Sequence, residues 1–189
     1  MVMPASQTDW TVEMVHALPD DGNRYEVIDG ELLVSPAPSY LHQRALAKLY
    51  LLLASYAESV GLDALFAPFA ITFTPRREVQ PDLVAWPLRR EEPTPTFVQL
   101  GSLTLAVEIL SPSTARVDRH KKRDLYQSQG VAEYWIVDVA NRMIERWRPN
   151  DDEPEVLLAA MQWQPLPGRD PLAIDLVAYF RDVHSEGRA

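Results

Sequence analysis

A carboxylate set inside an apolar strand constrains this chain more than any other feature. Leu103 to Leu110 is apolar apart from Thr104 and Glu108, with Gly101 before it and Ser111-Pro112 after it. Its length, its Val and Ile and that punctuation mark a buried strand rather than a helix. An isolated charge is very costly to bury, so Glu108 must be paired, metal-bound or protonated. An earlier segment, Val79 to Trp86, reads as a second strand and places Asp82 in equally apolar company. Downstream, Asp118 to Gln129 reads as a helix with Lys122 on the stripe of Leu125 and Tyr126. Two inward carboxylates and one inward lysine on successive elements read as a single site.

The remaining elements frame that site. Thr11 to Leu18 predicts a short helix, stopped by Pro19 and the turn that follows. Arg24–Ile28 and Glu31–Ser35 flank Asp29-Gly30, a strong two-residue hairpin signal, because both turn positions need positive φ. Ser39 is a good N-cap for a helix from Tyr40 to Val60, with Gly61 as its stop. The stripe Leu41, Ala45, Leu49, Leu52, Leu53, Tyr56 and Val60 keeps helical spacing throughout. Strands follow at Leu62–Phe66 and Phe69–Phe73, and residues 75–78 read as a turn. After the Asp82 segment comes an exposed, proline-rich loop from Pro87 to Thr96. Glu133–Asp138 is a further inner strand, and Arg142–Arg148 with Val156–Trp163 suggests a C-terminal hairpin. Leu176–Arg181 reads as a closing helix. The expected architecture is α/β, a mixed central sheet flanked by helices, with a hairpin at each end. One domain is expected over residues 9–183, after a disordered stretch at 1–8 and before a frayed tail at 184–189.

Composition narrows the function classes. The formal charge of −9 argues against a general polyanion binder, whose affinity rests on Lys and Arg at phosphates. Arg116 to Arg123 nevertheless forms a local basic ridge on an acidic body, a pattern compatible with phosphate contact or with a solvated helix face. No apolar run approaches the roughly 18 residues of a membrane span. With no cysteine and no signal-peptide pattern, the expected location is the cytoplasm. Walker-type, G-x-G-x-x-G and G-x-S-x-G motifs are absent, which disfavours nucleotide-dependent and serine-hydrolase chemistry.

Asp82 and Glu108 on neighbouring strands would form a hard, oxygen-rich pocket of the kind Mg²⁺ or Mn²⁺ prefers, completed by water and phosphate. A backbone carbonyl beside Glu108, that of Ile109, could add a ligand. A nearby lysine could hold the attacking water or stabilise phosphoryl charge. Blander readings stand beside each residue. Asp82 after Pro81 equally fits a turn cap. A lone Lys122 more often snorkels past its neighbours, and Lys121, one turn before Leu125, competes for the same role. Glu31 fits a solvated hairpin position, and His42 an ordinary place in the first turn of a helix.

Six motifs carry a family resemblance. They are R-Y-E-V-I-D-G-E-L at 24–32, S-P-A-P-S-Y-L-H-Q-R at 35–44, V-Q-P-D-L at 79–83, V-E-I-L-S-P-S-T-A-R at 107–116, D-R-H-K-K-R-D-L-Y at 118–126 and G-V-A-E-Y-W-I-V-D at 130–138. In these, over roughly residues 10–150, the chain resembles the Uma-type restriction endonucleases of the PD-(D/E)XK nuclease superfamily. The resemblance implies a restriction-endonuclease-like α/β/α core, with Asp82 and Glu108 as the acidic pair. The superfamily pattern places lysine two residues after the glutamate, where this chain has Leu110. That departure implies a lysine moved to the next helix, at Lys122. Glu31 and His42 also fall on family motif positions and join the expected catalytic set.

The implied activity is hydrolysis of DNA phosphodiesters assisted by Mg²⁺ or Mn²⁺ on Asp82, Glu108 and the Ile109 carbonyl. Gln80, Arg116, Arg119 and Lys121 are the expected substrate contacts. A homodimer is the expected assembly, since cutting both strands suits two-fold symmetry. The rival expectations are a non-cutting binding module on the same fold and a nuclease acting on RNA or a small phosphodiester.

Overall fold

A computed structural model describes residues 9–87 and 103–185. Residues 1–8, the body of the loop expected after Pro87 and the last four residues lie outside them. The chain opens with α1 (Val12–His16), capped by the Thr11 hydroxyl, and the hairpin β1 (Arg24–Ile28) and β2 (Glu31–Ser35). Asp29 and Gly30 both take positive φ, 53° and 82°, as the tight turn requires. Then come α2 (Tyr40–Ser59), β3 (Leu62–Phe66), β4 (Ile71–Thr74), β5 (Arg77–Val79), β6 (Leu83–Pro87) and β7 (Leu105–Ile109). The next helical stretch is α3 (Ala115–Val117), a π-helical turn (Asp118–Lys122) and α4 (Arg123–Ser128). The chain closes with β8 (Glu133–Asp138), β9 (Met143–Trp147), β10 (Glu155–Leu157), β11 (Ala160–Trp163), β12 (Leu172–Asp175) and α5 (Leu176–Val183).

Three sheets form. The central one has six strands in the order β10-β9-β8-β7-β6-β3, with β7 and β8 parallel and the other pairs antiparallel. A four-stranded antiparallel sheet, β2-β1-β5-β4, carries the hairpin, and β11 pairs with β12. β7 is central and buried throughout, which is why its sequence reads as a continuous apolar run. Its period-2 alternation still sorts two cores. Leu105, Val107 and Ile109 pack with α2 and α5, whereas Ala106 faces a second core with Tyr126 of α4, Ile28 of β1 and Val79 of β5. Glu108 shares the face of Ala106, so it points away from α2 and toward the π turn. No helix among the described residues is long and apolar enough to cross a membrane.

Several expectations shift, among them the strand expected at Phe69–Phe73, which runs Ile71–Thr74 instead. The Val79–Trp86 segment is not one strand: β5 and β6 belong to different sheets, and the chain bends between them at Gln80-Pro81-Asp82, where Pro81 offers no ladder donor. Arg77 and Glu78 therefore lie in β5, leaving only Pro75-Arg76 in the turn. On α2, Leu52 is 41 % exposed, and the buried face runs instead through Ala45, Leu46, Leu49, Leu53 and Ala57. The C-terminal hairpin is real but short. On the side away from β8, β9 pairs with β10, and β11 turns away to meet β12, a strand the apolar pattern did not indicate.

Candidate active site

The bend at Gln80-Pro81-Asp82 sets Asp82 at the mouth of β6. Its backbone N–H donates to Val107 O at 3.1 Å, registering it against β7. Three donors then converge on its carboxylate. Arg24 Nη1 reaches Oδ1 at 2.9 Å, the Ile109 N–H reaches Oδ2 at 2.8 Å, and His42 Nε2 stands 3.1 Å from Oδ2. Burial pushes the Asp82 carboxyl up, but the His42 hydrogen bond and charge, the Arg24 guanidinium and the Ile109 N–H outweigh it and bring it down to about 2. This aspartate is an anion held by its neighbours. His42 gains its place from the helix start, where its backbone N–H donates to the Ser39 Oγ cap at 3.2 Å.

Beside Asp82, one β7 residue faces one helical residue. Lys122 Nζ lies 2.9 Å from Glu108 Oε1, and Tyr126 donates its hydroxyl to the same oxygen at 3.3 Å. A second carboxylate, Glu26 of β1, places Oε1 2.9 Å from the same ammonium and accepts the Gln80 N–H at 2.6 Å. A third, Asp118, stands 3.8 Å from it across the π turn, with both oxygens buried and lacking a hydrogen-bond partner. Single π turns inside helices often mark functional sites. Here the π turn brings Asp118 and Lys122, both buried, to the sheet. Burial favours the neutral form of Lys122, but Glu108, Glu26 and Asp118 overcome it and hold the ammonium above its usual range. Burial drives Glu108 well above the ordinary glutamate range. Lys122 offsets part of that rise, while Asp82, Asp118 and Glu26 add to it. Burial raises Asp118 in the same way, against the pull of Lys122.

Of the residues singled out from sequence, Asp82, Glu108, Lys122 and His42 come together, with Ile109 as a backbone donor to Asp82. Gln80 joins them through its backbone, and its side-chain amide donates to Tyr25 O at 3.0 Å. Lys122, not Lys121, meets Glu108. Lys121 instead pairs with Glu31 on the outside of the hairpin, where the Glu31 side chain is 60 % exposed. Arg119 is tied to Asp138 Oδ2 and Glu145 Oε1 at 2.9 and 2.7 Å, and Arg116 is exposed on α3.

Asp118, carried in by the π turn, was not selected from sequence, and neither were Arg24 and Glu26. They sit two residues apart and so share one face of β1, and β1 has a strand partner on each side. Two charged residues at period-2 spacing on a strand flanked by others was the available signal.

The donor chemistry fits a hard divalent cation. Four buried carboxyls, Glu26, Asp82, Glu108 and Asp118, surround only Lys122 and Arg24 as permanent cations, and Asp118 keeps unpartnered oxygens. Among the described residues, no three His, Cys, Asp or Glu side chains form a ready-made cage. Mg²⁺ does not demand one, since it usually keeps several waters and binds through one or two carboxylates plus substrate phosphate.

A family model described as "Uma2: Putative restriction endonuclease" matches residues 12–178. A solved structure from Anabaena variabilis, described as "a putative nuclease belonging to DUF820", superposes with a TM-score of 0.75 at 19% identity, covering 92% of this chain and 99% of that one. At that identity the likeness establishes the fold. No match was found among curated proteins.

Proposed function

Since the chain belongs to the Uma2 restriction-endonuclease family, we propose that it is a metal-dependent endonuclease that hydrolyses DNA phosphodiester bonds. The observation that carries this reading is the buried contact of Lys122 with Glu108, 2.9 Å long, beside an Asp82 kept anionic. Such a buried ion pair is a poor stability device, and hydrophobic replacements often serve as well. Its persistence next to another carboxylate therefore favours chemistry over packing.

Asp82 and Glu108 would hold Mg²⁺ or Mn²⁺, with the Ile109 carbonyl as a further ligand. When bound, such a cation polarises a phosphoryl oxygen and makes its water more acidic. Arg24 and His42 fix the Asp82 carboxylate in one orientation. Lys122, held protonated by Glu26 and Glu108, orients the attacking water and stabilises charge developing on the phosphoryl oxygens. Gln80, Arg116 and Lys121 lie near the hairpin and the basic ridge, where they would meet the strand backbone. Cutting both strands would require two copies in a symmetric pair.

Plasmid DNA and a matched RNA, incubated with Mg²⁺, Mn²⁺ or EDTA, test this directly. The expected result is DNA cleavage that needs the metal and is abolished in Asp82→Asn and Glu108→Gln. Cleavage retained by both variants overturns the assignment, and cleavage of RNA alone changes the substrate.

A further inference from the structure

A cleft of about 400 Å³ opens beside Asp82, between the start of α2 and the loop that leaves β7. Its walls include Arg24, Ser39, His42, Ser111, Ser113 and Thr114. In a chain with a formal charge of −9, no acidic residue among the described ones lines it. The first turn of α2 carries no acidic side chain of its own, and its positive end borders the cleft with Ser39 Oγ capping the His42 N–H and Asp82 3.1 Å from the His42 ring. Arg24 adds a fixed positive charge, which Glu108, Asp82 and Glu26 hold protonated against the cost of burial. On the opposite wall Ser111 Oγ lies 3.0 Å from Ser113 Oγ and 2.9 Å from Thr114 Oγ1, a cluster of hydroxyls that can turn to donate. One observation is independent of the helix end. His42 has its side chain 8 % exposed, spends Nε2 on Asp82, and leaves Nδ1 buried without a hydrogen-bond partner.

We infer that this cleft is a subsite for a phosphate group of the nucleic-acid backbone, next to the phosphodiester that is cut. The inference rests on the nuclease reading for its substrate, and it adds where the neighbouring phosphate goes. Arg24 links the two places, because its Nη1 holds Asp82 Oδ1 while the residue lines the cleft. A helix N-terminus, a guanidinium and a ring of hydroxyls together match the several acceptor oxygens of a phosphate. Strand binding would thus align the scissile bond over Asp82 and Glu108 without calling on an extended basic face.

Inorganic phosphate, titrated without metal and followed by the amide and imidazole NMR signals of the whole protein, reads the cleft alone. Wild type should show saturable shifts confined to Leu41, His42, Ser113 and Thr114. Ser113→Glu, which sets a carboxylate on an exposed wall, should weaken phosphate at least about tenfold, because like charges at close range cost several kcal/mol. Ser113→Gln, of similar size and neutral, removes the same hydroxyl without adding a like charge and should weaken phosphate clearly less than Ser113→Glu. Absent shifts, or equal binding by the Glu and Gln variants, overturns the inference. The same samples assayed on DNA separate the two claims. Cleavage with no phosphate response leaves the nuclease reading and removes the subsite. A phosphate response with no cleavage keeps the phosphate site and removes the nuclease.

Discussion

Lys122 Nζ meets Glu108 Oε1 at 2.9 Å although fourteen positions separate them, and both side chains are buried. β7 supplies one partner and the π turn the other, with the Ser111–Thr114 loop between them. Removing Lys122 leaves the buried carboxyls Glu108, Glu26 and Asp118 without their shared cation, a loss that typically costs about 3–5 kcal/mol. Removing Glu108 still leaves Lys122 with Glu26 at 2.9 Å and costs less. Lys122→Met and Glu108→Gln should therefore each lower stability, and the double variant should lose clearly less than their sum. Urea unfolding of the four proteins measures the coupling. Additive losses would mean that the contact carries no energy in solution.

Acid should uncover Asp82. Its folded value of about 2 lies below the ordinary 3.8, so the native state favours the ionised form. The resulting stabilisation, about 2 kcal/mol, is fully present above pH 3.8 and is lost as pH falls through about 2. Asp82→Asn should be less stable than wild type at neutral pH, and the gap should narrow as pH falls below 3.8. Unfolding midpoints across that range test it; a constant gap would show that Asp82 is not held as an anion.

Metal should stabilise the fold whether or not substrate is present. A ligand that binds only the native state adds about 2.7 kcal/mol at a hundred times its dissociation constant. Rising Mg²⁺ or Mn²⁺ should raise the melting temperature of wild type, and the rise should vanish in Asp82→Asn and Glu108→Gln. An unmoved wild-type midpoint counts against a metal site that forms without phosphate.

The elements with strong local signals were legible. The Asp-Gly hairpin, α2 with its Ser39 cap and the β7 run each announce themselves through turn chemistry, capping or length. The division of β5 from β6 was not, because Pro81 marks an interruption but the apolar Val79 and Leu83 on either side of it do not say that the two halves enter different sheets. Within the site, Asp82, Glu108 and Lys122 stood out as charges among apolar residues. Arg24 and Glu26 did not, because a hairpin alternating polar and apolar residues normally turns its polar face to water. Here that face is covered by Lys122, contributed from nearly a hundred positions away, a contact that tertiary structure alone creates. The choice between Lys121 and Lys122 was equally nonlocal, since the π turn sets which of them faces the sheet.

That choice has its own test. Lys121 pairs with Glu31 at the surface, and exposed pairs contribute about 0–1 kcal/mol. Lys121→Met and Glu31→Gln should unfold within about 1 kcal/mol of wild type and keep most cleavage, whereas Lys122→Met should lose both stability and cleavage. Loss of cleavage in Glu31→Gln at unchanged stability would move Glu31 into the working site.

Glu26 offers the sharpest separation of roles. It touches the same ammonium as Glu108, at the same 2.9 Å, but it comes from β1, and its Oε1 is also taken by the Gln80 N–H at 2.6 Å. That bond ties Glu26 to the bend before Asp82, whereas Glu108, which takes the Tyr126 hydroxyl at 3.3 Å, is the one that would serve the cation in the proposed mechanism. Glu26→Gln should then slow turnover by roughly tenfold or more through a misplaced Lys122, while the metal affinity read by calorimetry stays near wild type. Glu108→Gln should lose both. If Glu26→Gln abolishes metal binding as completely as Glu108→Gln does, Glu26 is a ligand and the division between holding the lysine and holding the metal is wrong.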